Sequence, residues 1–271
     1  MINVILTHSA NSSDDSIQYT AIVWLKELVN IIGSNSLNFI PGILNVILPC
    51  LSYSEDGVRK SIKDLARSIN STIWNLIENN NITELSDNKI AIDKLIEALC
   101  RFMTTSSSNE SPNTTLESLK WILHLVNKQS DVMLMHVDDF FSILISFLSD
   151  SSKEAVELDL KILATISVSP YFLKTKNQNE HLQANFPKYN NYFTKFLSQL
   201  LDLFRRDVQL RYEKSSIMIK ELCVILNPKD IFQMLSQILS NEKNSDFAIS
   251  MVDILNTILL TSPELFDLRN R

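Results

Sequence analysis

The side chains that could bind a metal or form a disulfide are few in this sequence and widely separated. The four histidines are His8, His124, His136 and His181, and the three cysteines are Cys50, Cys100 and Cys223. None of them forms an H-E-x-x-H or C-x-x-C spacing, the usual sign of a zinc site. Each cysteine lies among apolar residues, where a thiol behaves as a small hydrophobic group. We therefore predict no metal site and no disulfide framework, and we expect a reducing compartment.

The sequence also offers no recognisable catalytic motif. With only 3 glycines, it cannot assemble the glycine-rich loops that bind phosphates or the G-x-S-x-G turn of hydrolases. The acidic pairs Asp14/Asp15 and Asp138/Asp139 are adjacent, so on a helix their carboxylates point in different directions. We expect the first pair to cap a helix and the second to lie on a solvated face. The prediction is a protein that is not an enzyme, with no catalytic residue and no cofactor.

The charge of the chain argues against broad nucleic-acid binding. Its net charge is −6 and its pI is about 5.3, whereas proteins that bind nucleic acids usually present a basic face. A short basic cluster does occur, formed by Arg205, Arg206, Arg211 and Lys214. We interpret it as a solvated helix end; the alternative is a patch for an acidic ligand.

Direct membrane insertion is not expected either. The longest apolar run, residues 39–51, is interrupted by Pro41, Asn45 and Pro49 and is too short to span a bilayer. Residues 1–10 lack the basic and apolar segments of a signal peptide.

The elements that position these side chains are predicted to be helices. Scarce glycine and apolar residues that recur every three or four positions both favour helices joined by short polar turns. The predicted helices are 17–32, 37–51, 58–77, 89–103, 115–127, 132–148, 153–168, 192–204, 210–226, 229–239 and 246–260. No sustained alternation of period two occurs, so we predict no sheet.

The first of these helices illustrates the pattern. Its predicted buried face consists of Ile17, Ala21, Trp24, Leu25, Leu28 and Ile32. Asp14 or Asp15 can cap its start, and Gly33 lies where a helix end favours a left-handed residue. All three tryptophans, Trp24, Trp74 and Trp121, lie in such apolar stripes, and we predict that they pack in the core. His124 lies on or beside a stripe and is predicted to be a core or boundary residue.

Pairs of these helices would form units of about 35 to 50 residues that bury their apolar faces by stacking on their neighbours. We therefore predict an all-α fold, an α-solenoid of HEAT-type helical hairpins; a four-helix bundle with appendages is the alternative. The predicted domains are helical repeats at 14–169, an irregular linker at 170–190 that we expect to be mobile, and further helical repeats at 191–271. Two segments of the sequence resemble each other, which supports a repeated unit: "AIVWLKELVNIIG" and "ESLKWILHLVNKQ" place Trp, Leu and Val at matching spacing.

Longer phrases carry a resemblance to a known family. The stretch "FIPGILNVILPCLSYSEDGVRKSIKDLARSIN" resembles the middle HEAT repeats of the Vac-fourteen family of vacuolar scaffolds. The phrase "DFAISMVDILNTILLTSPELFDLRNR" resembles the opening of that family's phosphatase-binding region. The resemblance extends from about Asp14 to Arg271. The family's N-terminal repeats, associated with kinase binding, lie outside it.

The resemblance implies a function that the residue patterns alone do not. It implies a non-enzymatic scaffold that binds a PIKfyve-type phosphatidylinositol 3-phosphate 5-kinase and a Sac-domain phosphoinositide phosphatase, and that self-associates. It also implies a place on the cytosolic face of vacuole or late-endosome membranes, held there through partners, and control of phosphatidylinositol 3,5-bisphosphate. The alternative is a generic HEAT-repeat adaptor, such as a transport or phosphatase-regulatory subunit.

The end of the sequence contains the only residues that we nominate for partner binding, Glu264, Phe266, Leu268 and Arg269. Two interpretations stand side by side. In the first, these side chains face a partner. In the second, Ser262 caps a helix, Pro263 takes its first position and Phe266 packs inward.

Overall fold

The computed structural model describes residues 2–10, 13–79, 89–105, 112–128, 133, 135–149, 152–170 and 189–269. Within these ranges every regular element is a helix and no strand occurs, as the sequence predicts. The chain divides into two compact units, Met1–Leu125 and Val126–Arg271. Most of the predicted linker, residues 171–188, lies outside the described residues. Residues 106–111, between the predicted helices 89–103 and 115–127, lie outside them as well.

The first unit contains α1 to α5 and most of α6. Their bounds are α1 Ile2–Ser9, α2 Asp15–Ile32, α3 Ile40–Cys50, α4 Gly57–Asn79, α5 Lys89–Thr105 and α6 Pro112–Lys128, with a 3-10 helix at Gly33–Phe39. Helix α1 is not among the predicted helices. The principal contacts join first or second neighbours along the chain: α1 packs on α2 and α3, α2 on α4, and α3 on α4 and α5. Contacts between first and second neighbours are typical of stacked helical hairpins.

Local sequence signals explain how α2 begins and ends. The Asp14 carboxylate accepts hydrogen bonds from the backbone N–H groups of Ser16 at 2.9 Å and Ile17 at 3.1 Å. These bonds satisfy donors that have no partner in the first turn of a helix. At the other end Gly33 has φ of +57°, a conformation that favours glycine. The predicted caps at the start of α2 (Asp14) and at its end (Gly33) are both confirmed.

The buried face of α2 differs from the predicted one. Ala21, Leu25 and Leu28 are buried as expected, but Trp24 is 63% exposed and Ile17 is 45% exposed. The core instead takes Ile22 and Val29, which are almost fully buried. Because α2 packs against both α1 and α4, the direction of its buried face depends on where those neighbours lie. The spacing of apolar residues in the sequence shows that α2 has a buried face, but it does not show which residues that face contains.

The stretch Asp15–Cys50, which contains α2 and α3, is long and apolar enough to cross a membrane by length and composition. Buried core helices share these properties. In this structure Ile22, Leu25, Ile43 and Ile47 from this stretch have no exposed surface and form part of the core of the first unit.

The second unit repeats the stacking pattern of the first. Its helices are α7 Val137–Phe147, α8 Lys153–Val168, α9 Asn191–Arg206, α10 Val208–Ile225, α11 Pro228–Ser240, α12 Ser245–Thr261 and α13 Phe266–Arg269, with a 3-10 helix at Pro263–Leu265. Contacts again join first and second neighbours, since α8 packs on α9 and α10, α9 on α11, and α10 on α12. This pattern favours the predicted α-solenoid of hairpins over a four-helix bundle.

Asparagine and aspartate caps make the turns of the second unit short. The side chains of Asn190, Asp207, Asn227 and Asn244 each accept a backbone hydrogen bond at the start of α9, α10, α11 and α12. Asp207 alone joins α9 to α10: its N–H donates to the Leu203 carbonyl at 2.9 Å, and its carboxylate accepts from the Leu210 N–H at 2.9 Å. Polar caps thus provide tight connections in a chain that has very little glycine.

Candidate functional site

Two of the three cysteines, Cys50 and Cys223, lie in the helical core. Cys50 is fully buried, and burial raises the pKa of its thiol to about 12, so it is a poor nucleophile. Cys223 is also buried. Among the residues that the structure describes, no group of three or more His, Cys, Asp or Glu side chains could hold a metal ion.

The acidic pair on α7 has a structural role. The Lys195 ammonium, on α9, donates to the Asp138 carboxylate at 2.8 Å. This hydrogen bond holds the pKa of Asp138 below its ordinary value. Asp139 lies 3.5 Å from the His136 ring nitrogen Nδ1. Both carboxylates remain largely exposed, as expected of a solvated face.

Two of the three tryptophans form an aromatic cluster in the first unit. The rings of Trp74 and Trp121 are stacked, with centroids 4.1 Å apart, and His124 lies edge-on to Trp74 at 4.9 Å. The Trp121 indole donates to the Asn70 side-chain oxygen at 3.2 Å, and the Asn70 amide donates to Glu117 at 2.8 Å. Trp121 is 1% exposed, so the core prediction holds for it and fails for Trp24. His124 is a boundary residue, as predicted.

The basic cluster is partly absorbed into the packing of the second unit. Arg205 forms ion pairs with Asp202 and Glu242, and the guanidinium groups of Arg205 and Arg211 lie 5.0 and 5.5 Å from the centroid of the Phe247 ring. Phe247 is 3% exposed. These two arginines therefore hold the start of α12 against α9 and α10. The prediction of a solvated helix end fits the exposed Arg206. Arg205, in the same last turn, keeps 36% of its side chain exposed and also pairs with two carboxylates.

The nominated residues at the end of the chain take separate roles. Phe266 is 61% exposed, whereas Leu268 is half-buried. The Arg269 guanidinium donates to the carbonyls of Leu259 at 3.1 Å and Leu260 at 2.5 Å, and it lies 5.9 Å from the Phe266 ring centroid. Arg269 thus satisfies the free carbonyls at the end of α12. The backbone of Glu264 is part of the 3-10 helix, and its side chain lies outside the described part of the chain.

The structural interpretation of this segment needs two corrections. Phe266 does not pack inward, since Leu265, at 1% exposed, takes that place. Ser262 makes no side-chain cap, although its backbone N–H donates to the Ile258 carbonyl at 2.9 Å. Pro263 does occupy the first turn, as predicted. The difference arises because a tight 3-10 turn, with about three residues per turn, directs Leu265 toward α10, which the turn contacts.

The second unit also contains a groove that the sequence patterns do not reveal. This α10–α12 groove is an open cleft of about 450 Å³. Its lining residues are Tyr212 and Ser216 from α10, and Asp246, Ile249, Ser250, Asp253, Ile254 and Thr257 from α12. Tyr212 is 67% exposed and Ile249 61%. A hydrogen bond with Ser250 and the neighbouring Arg211 guanidinium lower the pKa of Tyr212.

Comparison with known proteins places this groove in a named region. Residues 208–271 match the family model described as Vacuolar protein 14 C-terminal Fig4p binding. That range contains both helices that form the walls of the groove, together with the segment around Phe266.

Similarity to curated proteins extends along nearly the whole chain. A protein named Protein VAC14 homolog from Arabidopsis thaliana is 32% identical over 265 residues, which is 98% of this chain and 31% of that protein. A protein of the same name from Schizosaccharomyces pombe is 30% identical over 276 residues, or 100% of this chain and 31% of that protein. The Saccharomyces cerevisiae protein named Vacuole morphology and inheritance protein 14 is 26% identical over 267 residues, or 98% and 27%. The chain spans less than a third of the length of these relatives.

Proposed function

Because this chain belongs to the Vac14 (Vac-fourteen) family, we propose that it is a non-catalytic scaffold segment that binds a Sac-domain phosphoinositide phosphatase. One observation carries the proposal. Residues 208–271 match a family model described by Fig4p binding, and Fig4p is a phosphatase of this class. The helices of that range are well packed and capped, so they can present a fixed surface to a partner.

The stacked helices suit a scaffold. Solenoids of helical hairpins offer long surfaces that are built from successive repeats, and partners bind along them. The side chains of Trp121 and Cys50 pack in the helical core, where both are almost fully buried. They are therefore not accessible to a substrate. A role without catalysis is therefore the simpler proposal.

We extend the proposal to the lipid kinase. The family resemblance of the sequence implies a scaffold that brings a PIKfyve-type kinase and the phosphatase together, and we propose this role for the chain. Holding both enzymes on one support raises their effective concentration and couples synthesis and turnover of phosphatidylinositol 3,5-bisphosphate. The complex would lie on the cytosolic face of vacuole or late-endosome membranes through its partners, and self-association would multiply the binding sites.

Within the matched region we propose that Phe266 belongs to the surface that faces the phosphatase. It is large, apolar and exposed, and Arg269 stacks near it while holding the end of α12. In this proposal Arg269 and Leu268 support the segment, and Glu264 lies within the same turn of the chain. Aromatic residues held in place by their neighbours are common binding anchors.

The experiment is affinity purification of the tagged chain from its own cells, followed by mass spectrometry. Any longer product of the same gene receives the same tag, and an untagged strain is the control. We expect the longer product to recover both the kinase and the phosphatase. Recovery of neither, or of unrelated transport proteins, would overturn the assignment to phosphoinositide control and support the generic adaptor.

A further inference from the structure

We propose that the α10–α12 groove is the surface that receives the phosphatase, and that its occupant is an amphipathic helix with one apolar anchor flanked by Lys or Arg. This inference rests on the proposed function, because it takes the phosphatase to be the partner. It goes further by adding this groove to the surface around Phe266 and by stating the chemistry of the segment that fills the groove.

The groove is elongated along α12 and is long enough to bind a helix. Its lining residues on α12 recur at intervals of one, three and four from Asp246 to Thr257, so they lie on one continuous face of the helix. That face is about 16 Å long, or about three turns. The buried residues of α12 lie on other sides of the helix: Phe247, Met251, Leu255 and Ile258. Four of the six groove residues on α12, Asp246, Ile249, Asp253 and Thr257, are exposed, so most of the groove face is not used to pack α12.

The apolar part of the groove can take an anchor side chain. Tyr212 and Ile249 are large, exposed and close enough to line the same cleft. The small side chains of Ser216, Ser250 and Thr257 line the same cleft. Since the distance between packed helices depends on the side chains at the contact, small residues allow a third helix to approach closely. Amphipathic helices bind such grooves through a few apolar anchors.

The charged part of the groove specifies a basic partner. Asp246 and Asp253 are both exposed and both line the cleft. Across the ranges that the structure describes, neither carboxylate forms an ion pair. They are seven residues apart, so they lie on one side of α12 about 10 Å from each other. Two Lys or Arg residues with a similar spacing on the occupant would match them, and this match would favour association and fix its orientation.

Two other occupants fit less well. The acidic rim would repel an anionic lipid headgroup, and a second copy of a chain with net charge −6 brings more negative than positive charge. The family-model match to residues 208–271 covers both walls of the groove, and its description names a partner protein. These observations together favour the phosphatase.

The test measures binding of the purified Sac-domain phosphatase to the longest product of the gene. The two groove variants are Ile249→Asp, which removes the anchor contact, and Asp253→Lys, which reverses a rim charge. Each has a matched control on α10 outside the groove. Val224→Asp places the same charge at a residue that is 62% exposed, against 61% for Ile249, and Glu213→Lys reverses another exposed carboxylate. All four positions are exposed, so we expect the variants to fold, and circular dichroism checks this.

We expect Ile249→Asp to weaken binding about tenfold or more, the effect of losing a central anchor. Asp253→Lys should weaken it about fivefold at low salt and less at high salt, because salt screens exposed charges. The controls should stay within about twofold of the wild type.

Each possible outcome decides one of the two proposals. If the wild type binds and the groove variants equal their controls, the groove assignment is overturned and the proposed function stands. If the wild type does not bind the phosphatase, the proposed function fails, and the groove assignment fails with it. A change in self-association caused by Ile249→Asp, without a change in phosphatase binding, would make a second copy the occupant and overturn the inference.

Discussion

The indole ring of Trp121 stacks on that of Trp74 with the centroids 4.1 Å apart and the ring planes inclined by 24°. Trp121 is buried to 1% exposure, and its N–H donates to Asn70, so both its apolar body and its polar atom are satisfied. Trp24 occupies the position that matches Trp121 in the two similar sequence segments, and yet it is 63% exposed. The same local pattern therefore produces two different environments.

This contrast yields the first prediction. Trp121→Ala should lower the free energy of unfolding by about 3 to 5 kcal/mol, because it opens a cavity and leaves Asn70 without its indole donor. Trp24→Ala is the matched control and should change stability by about 0.5 kcal/mol or less. Chemical denaturation of both variants measures the difference. Equal destabilisation would contradict the core role assigned to Trp121.

The second prediction concerns the cap between α9 and α10. Asp207→Ala removes the carboxylate that accepts from the Leu210 N–H at 2.9 Å and should cost about 1 kcal/mol. Asp207→Asn keeps an oxygen acceptor at the same place and should cost clearly less. Thermal unfolding followed by circular dichroism compares the two variants. An equally large loss in Asp207→Asn would assign the effect to charge and not to the cap.

The third prediction is a pH dependence at the contact between α7 and α9. The hydrogen bond from Lys195 lowers the pKa of Asp138 in the folded state, so the pair contributes stability above the unfolded pKa of about 3.9. That contribution is lost as the pH falls through the lower, folded pKa. The Asp138 side chain is 74% exposed, so solvent screening limits the contribution to about 0.5 kcal/mol.

Lys195→Met tests this relationship. The difference in unfolding free energy between wild type and variant should be present at pH 7 and should become smaller as the pH falls through the lowered, folded pKa of Asp138. NMR titration of the Asp138 carboxyl carbon gives a second measurement, in which the variant should show a higher pKa. An unchanged Asp138 pKa in Lys195→Met would refute the assigned cause.

The fourth prediction separates binding from folding at the end of the chain. Phe266→Ser should leave stability within about 0.5 kcal/mol, because the ring is already exposed. If Phe266 contacts the phosphatase, the same change should weaken its capture about fivefold or more. Leu265→Ser is the structural control, since it places a hydroxyl at a site that is 1% exposed. It should destabilise the protein by about 2 kcal/mol or more.

Full retention of the phosphatase by Phe266→Ser would remove this residue from the binding surface. Such a result would leave the α10–α12 groove as the remaining candidate, because Phe266 does not line it.

The sequence by itself determined the helical class, most helix positions and the caps at the two ends of α2, because these depend on local spacing and on the chemistry of single residues. The predicted helix at 246–260, for example, is observed as Ser245–Thr261, and Asp14 caps α2 as its position indicated. The family resemblance also came from the sequence, because it rests on continuous stretches of residues such as "LNTILLTSPELFDLRN".

Tertiary structure alone decided which apolar residues face the core and which face outward. Trp24, Ile249 and Phe266 are apolar residues in helical segments, and nothing in their own sequence context marks them as exposed. Their direction depends on how neighbouring helices pack and, at Phe266, on a 3-10 turn that gives the buried place to Leu265. The α10–α12 groove exists for the same reason, because it is formed by two helices whose contact no single stretch of sequence encodes.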